Sequence, residues 1–171
     1  AAAGAWITLP LTGHAASFGT SLPHLAQVAH GIAAGLWVGA LAAVVAAASP
    51  LHREPQGQGR VADLVRRFSP MAIAAVAAIT LSGVVTGVFY LGSVGDLWAT
   101  PYGRALLLKV ALFLATGAVG ACNWRWLTPR LGEASGTGRL LRSARLELFL
   151  AAAVLLVTAV LVHLAMPRET M

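Results

Sequence analysis

Apolar residues along this chain are gathered into four long segments separated by shorter, more polar stretches. The segments are Leu25–Ala48, Met71–Leu91, Ala105–Cys122 and Leu148–Met166. Each has about 18 residues or more with almost no charge, which is enough to cross ~30 Å of hydrocarbon as an α-helix. Lipid offers the backbone no hydrogen-bond partners, and no segment alternates like a barrel strand, so only helices can span here. The pattern predicts an all-α integral membrane protein, an antiparallel four-helix transmembrane bundle.

Composition agrees with this prediction, and the basic residues give it an orientation. Hydrophobic residues make up 58% of the chain, charged residues 11%, and the mean hydropathy is +0.77, well outside ordinary globular usage. The loops between segments 1 and 2 and between segments 3 and 4 hold most of the basic residues: Arg53, Arg60, Arg66, Arg67, Arg125, Arg130, Arg139, Arg142 and Arg145. Because basic loops stay cytoplasmic, we expect these loops inside and both chain ends on the outer side of the membrane.

The positive charge of the chain needs no further explanation than this topology. The formal net charge is +6, and the excess lies mostly in the two loops that the orientation places in the cytoplasm. No nucleic-acid partner is therefore expected, and membrane lipid is the expected surrounding of the bundle.

The first residues are predicted to form a separate outer segment, 1–22, ahead of a four-helix domain at 23–171. Ala1–Leu11 is apolar but too short to span a membrane, and it lacks the basic start of a signal peptide. We interpret it as the end of an earlier helix or as a processed terminus.

Small residues recur along the first two predicted helices. Gly31, Gly35 and Gly39 are spaced by four on the first helix, and Ser82, Gly83, Thr86 and Gly87 give the second a similar small surface. Small side chains let helix backbones approach closely in lipid. We expect both surfaces to make helix–helix contacts.

Histidines gather at the predicted outer face. His30 lies seven residues beyond Pro23, roughly 10 Å along the helix, where an ionisable group usually faces a bundle interior or a ligand. His163 and Met166 are three residues apart and share a helix face. Imidazole and thioether ligands suit copper, particularly Cu(I), so His14, His30, His163 and Met166 are the candidate metal ligands. The alternative is that these side chains only satisfy local hydrogen bonds or sit at the headgroups.

The third predicted helix carries polar residues at seven-residue spacing. Lys109, Thr116 and Asn123 lie close together on a helical wheel and predict a polar seam that faces the bundle. The Lys109 ammonium is expected to extend toward the membrane surface. Glu147 is expected to open the fourth helix and pair with a nearby arginine. No triad or phosphate-binding loop occurs, so an enzyme is not expected.

Several short blocks of sequence, taken together, point to one family. They are Gly13-His14-Ala15-Ala16, His30–Gly39 (HGIAAGLWVG), Arg67-Phe68-Ser69, Thr100–Arg104 (TPYGR), Leu108-Lys109 and Arg145–Leu148 (RLEL). In this order they resemble the copper resistance protein D (CopD) domain from about His14 to Pro167. The resemblance implies an inner-membrane protein of copper uptake that works with a periplasmic copper-binding protein C. Larger relatives carry additional helices before this domain.

The resulting hypothesis is that copper arrives from the periplasm and is held by His30 and His163, with His14 and Met166, before passing inward. Two other functions stay open from the residues alone. His30 and His163 have the chemistry of axial ligands to a b-type haem, which would make this an electron-transfer protein. A non-catalytic scaffold, associated with other membrane subunits, is the third.

Overall fold

A computed structural model of the chain describes residues 21–54, 56–127 and 134–165, and these residues form helices and short connections with no strand among them. The helices are α1 (Ser21–Leu51), α2 (Gly57–Tyr90), α3 (Asp96–Ala99), α4 (Pro101–Cys122) and α5 (Ala134–Leu161). α4 runs on into a π-helical turn, Asn123–Leu127. Within the described ranges, four helices are long and apolar enough to cross a membrane, namely all but α3. This confirms the all-α membrane fold.

The long helices run antiparallel, and each end of the bundle has its own cluster of side chains. Tyr90, Tyr102 and Leu161, from α2, α4 and α5, pack together at what we call the tyrosine end. At the opposite, basic end, Ala48 and Val61 of α1 and α2 pack with Leu140 and Leu141 of α5. Exposed arginines border this second end: Arg53, Arg60, Arg66, Arg67, Arg125 and Arg139.

The bundle consists of two helical hairpins that touch mainly through α1 and α5. α1 packs extensively on α2, and α4 packs on α5, whereas α2 has only slight contact with α4. Van der Waals packing holds helices together in lipid, so the weak α2–α4 contact leaves space between the hairpins. A cavity occupies part of that space.

Two helices begin well before the apolar segments that predicted them. α2 starts at Gly57 rather than Met71 and continues through Pro70, and α5 starts at Ala134 rather than Leu148. Apolar segments mark the length in hydrocarbon, but a helix continues into water wherever one face can pack. In the extension of α2, Val61, Ala62 and Val65 are buried.

The far end of α5 also differs from the prediction. The helix ends at Leu161 instead of reaching Met166, and a turn follows it. The argument that His163 and Met166 share one face of the helix is therefore wrong, because His163 already lies beyond its last residue.

The small-residue surfaces behave differently on the two helices. Ser82 and Thr86 of α2 are buried, as expected for a surface in helix contact. On α1, Gly35 and Gly39 are exposed, and a Cβ added at Gly39 would meet no atom within 4 Å. The expected helix contact is absent at these two glycines, because α1 meets α2 through another face.

The start of α4 explains the Thr-Pro-Tyr-Gly block of the sequence. The Thr100 hydroxyl accepts a hydrogen bond from the Gly103 N–H at 3.0 Å, which caps the helix, and Pro101 occupies the first turn, where no N–H is needed. Tyr102 is buried in the tyrosine-end cluster. Gly103 lies against α3, so that a Cβ there would collide with the Asp96 carbonyl and lie 2.5 Å from the Leu97 Cα.

We therefore predict that Gly103→Ala destabilises the protein by about 1–3 kcal/mol, the usual cost of overpacking. The measurement is thermal unfolding of the chain in detergent or lipid. Gly117→Ala is the matched control, since it lies on the same helix and a Cβ there would meet no atom within 4 Å. Equal melting temperatures for the two variants would contradict this account of the α3–α4 contact.

Candidate functional site

His30 lies between α1 and α2, away from the ends of both helices. Its ring is partly buried, and Nδ1 is 3.1 Å from the Ile79 carbonyl oxygen and 3.1 Å from the Ser82 hydroxyl oxygen. Ser82 in turn donates to the Ala78 carbonyl oxygen at 2.6 Å. The imidazole is thus held by two groups on the neighbouring helix.

These contacts fix which ring nitrogen of His30 carries the proton. A carbonyl oxygen only accepts hydrogen bonds, so Nδ1 must be the donor to Ile79. In the neutral ring Nε2 then has a free lone pair. Histidines that bind metals in proteins are commonly arranged this way, with the second nitrogen donating to a carbonyl or carboxylate that orients the ring.

Two further residues complete the surroundings of the His30 ring. The ring lies over Gly83 of α2, where an added Cβ would be 3.5 Å from Cε1 and 3.7 Å from Nδ1. Lys109 of α4 is partly buried, and its ammonium is close enough to interact electrostatically with the imidazole. The charge of Lys109, which was expected to extend toward the membrane surface, therefore acts on the His30 ring.

His163 lies just beyond α5 at the tyrosine end and is exposed. Its Nδ1 is 2.7 Å from the Ala159 carbonyl oxygen, one turn earlier in the chain. By the same reasoning as for His30, Nδ1 donates to this carbonyl and Nε2 is free. His30 lies nine residues into α1, about 13 Å from its start, so the two rings are at different depths.

His14 and Met166 lie outside the described residues. Within the part of the chain that the structure describes, no group of three or more His, Cys, Asp or Glu side chains could hold a metal ion. His52, which follows α1, packs against Gly138 with Nδ1 buried.

An aromatic pair separates His30 from the basic half of the bundle. Trp37, two turns along α1 from His30, meets Phe113, one turn along α4 from Lys109. The ring centroids are 6.1 Å apart and the planes are 81° from parallel, an edge-to-face contact. This pair bridges the two hairpins where α2 and α4 diverge.

A cavity of about 340 Å³ opens on the basic side of the aromatic pair. Its walls come from α1, α2, α4 and α5 and are mostly aliphatic, and Trp37 lies at one end of them. Thr116, Asn123 and Glu147 supply most of the polar groups. Thr116 has no exposed surface, and its hydroxyl donates to the Leu112 carbonyl at 2.8 Å.

Glu147 is buried, with 5% of its surface exposed, and its Oε1 accepts a hydrogen bond from the Asn123 side-chain amide. The expectation that Glu147 opens a helix and pairs with an arginine is wrong. α5 begins at Ala134, so Glu147 lies well inside it and points toward α4, while Arg142 and Arg145 are exposed.

Sequence reasoning proposed His30 as a ligand and predicted the seam of Thr116 and Asn123, but it did not find the hydrogen-bond partners of these residues. The seven-residue spacing of the seam was sufficient to place Thr116 and Asn123 in the bundle, where both are buried. The link from Asn123 to Glu147 depends on the π-helical turn after Cys122, and π turns often occur at functional sites. No local sequence pattern predicts this π-helical turn.

Comparison with known proteins gives a consistent result. A family model described as copper resistance protein D matches residues 62–161. The copper transport protein CutJ of Bacillus subtilis (strain 168) is 36% identical over 159 residues, which cover 92% of this chain but 28% of that protein. The chain thus spans about a quarter of the length of this relative, and no solved structure matches it. This copper-related, multi-pass membrane chain belongs to the copper resistance protein D family.

Proposed function

We propose that this chain binds copper from the periplasmic side of a bacterial inner membrane and passes it inward, with His30 as the intramembrane ligand. The observation that carries the proposal is the geometry of the His30 ring. Its Nδ1 donates to the Ile79 carbonyl, which leaves the Nε2 lone pair for a metal ion. Imidazole is a good ligand for copper. A strongly polar side chain at this depth in hydrocarbon is costly, and such side chains commonly mark the path of an ion or substrate.

The proposed route begins at the tyrosine end, which we place in the periplasm. The basic end then faces the cytoplasm, as the distribution of arginines favours. The exposed His163 would receive copper first, together with His14 and Met166, and a periplasmic copper-binding protein C would supply it. His30 is the next ligand along the route.

Copper must also leave His30, and Lys109 contributes to that step. A cation on Nε2 lies in the repulsive field of the Lys109 ammonium, so binding is weaker than the ligand alone would give. A transport site has to bind well enough to load and weakly enough to release. Imidazole supplies the first property and the lysine supplies the second.

The first prediction concerns the ligand. His30→Ala should lower the copper affinity of the chain by at least about tenfold. Loss of a residue that only hydrogen-bonds a metal ligand can already cost about tenfold, and this substitution removes the ligand itself. Copper binding is measured with the full chain in lipid nanodiscs, by competition against a chromophoric chelator.

His24→Ala is the control for His30→Ala, since His24 is partly buried on the same helix but about 240° around it from His30. It should bind copper as the wild type does. Unchanged affinity in the folded His30→Ala protein contradicts the proposed ligand. A wild-type protein that binds no copper would favour a scaffold function.

The second prediction concerns the charge beside the ligand. Lys109→Gln should raise copper affinity by about fivefold, because it removes a positive charge whose field acts on the His30 ring and a repulsion of about 1 kcal/mol corresponds to that factor. Arg104→Gln is the matched control, since Arg104 is exposed on the same helix. Lys109→Arg keeps the charge and should show no gain. An affinity in Lys109→Gln equal to or below that of the wild type would rule out this electrostatic role.

A further inference from the structure

The cavity on the basic side of the aromatic pair holds a single titratable side chain among the residues that line it. Glu147 projects into it from α5, and the lining residues of α1, α2 and α4 include no Asp, Glu, His, Lys, Arg, Cys or Tyr. The polar, non-titratable groups in the lining include two hydroxyls and an amide: Ser69 of α2, Thr116 of α4 and Asn123 of the π-helical turn.

No cation balances the Glu147 carboxyl within the described ranges. The ion pairs found there are Arg60 with Glu54 and Arg66 with Asp63, both at the surface. On its own helix, Arg142 is exposed, and Arg145 donates to the Ser49 hydroxyl at 3.3 Å instead. An uncompensated charge in apolar surroundings is costly, so the carboxyl needs a positive partner that can enter the cavity.

The geometry around the carboxyl leaves one of its oxygens available. Oε1 accepts the hydrogen bond from the Asn123 amide. Oε2 lies beside Gly120, where an added Cβ would be 3.4 Å away, so no side chain covers it from that position. The Asn123 amide holds the carboxyl beside the end of α4, and Glu147 is one of the residues that line the cavity.

The ligand chemistry of the cavity differs from that of His30. Its lining contains no His, Cys or Met, and these are the side chains that suit Cu(I). A carboxylate with an amide beside it is instead a hard oxygen site. A proton is the smallest cation that such a site can take, and it requires no further ligand.

We propose that Glu147 is a proton-binding site that releases its proton to water as copper passes and takes up a proton again when the route is empty. This rests on the proposed copper function. The carboxylate takes one proton from water at the basic end when the route is empty. As a copper ion enters the cavity, the O–H bond breaks and the proton returns to water, so the two cations alternate beside one negative charge.

Infrared difference spectroscopy of the full chain in lipid nanodiscs tests this directly. Acid-minus-neutral spectra of the wild type should contain the carbonyl band of a buried protonated carboxyl. Glu147→Gln, which keeps an oxygen to accept the Asn123 hydrogen bond, should lose that band. Asp63→Asn should keep it, because Asp63 is exposed. Glu147→Asp, which keeps a carboxyl, should retain a titrating band at a shifted frequency.

Copper is then added to the wild type at fixed pH, and the Glu147 band should diminish as the proton is released. Identical pH-difference spectra in the wild type and in folded Glu147→Gln would overturn the proton site. A band that titrates with pH but does not respond to bound copper would overturn the coupling. The copper affinities of the wild type and of His30→Ala test the proposed copper function separately. The pH-difference band of Glu147 does not depend on that result.

Discussion

Hydrocarbon gives polar groups no hydrogen-bond partners, and this constraint organises the whole bundle. Each polar side chain that enters the membrane must find its partner on a helix of the protein. His30 finds one on α2, and Asn123 finds one in Glu147 on α5. These bonds lie within the two pairs of helices that pack most extensively. The bonds that make the buried polar groups tolerable therefore also hold each hairpin together.

The interior of the bundle contains two polar regions of different chemistry, one toward each end. His30 and Lys109 lie toward the tyrosine end, and Glu147 lies in the cavity toward the basic end, with the contact between Trp37 and Phe113 between them. The edge-to-face contact is an apolar layer between these two polar regions. Imidazole on one side and carboxyl on the other suit a soft metal ion and a proton, respectively.

The sequence was sufficient for the membrane class and for the four long apolar helices of the described residues, because the length of an apolar segment follows directly from the thickness of the hydrocarbon. It was not sufficient for helix ends: Gly57 begins α2 because one face of a charged stretch packs, which hydropathy does not register. The polar seam was predicted through Thr116 and Asn123. Its partner Glu147 was instead predicted to pair with an arginine. The start of α5 at Ala134 and the π-helical turn after α4 depend on tertiary packing, which the local sequence does not reveal.

The most direct test of the account is nitrogen NMR of the chain in lipid bilayers, with ¹⁵N-labelled histidine, before and after addition of Cu(I). The His30 resonances are assigned by their loss in His30→Gln. The account predicts that Nδ1 carries a proton in both states, because it donates to Ile79, and that Cu(I) shifts the Nε2 resonance. A His30 ring with Nδ1 unprotonated, or with both nitrogens unaffected by copper, would contradict it.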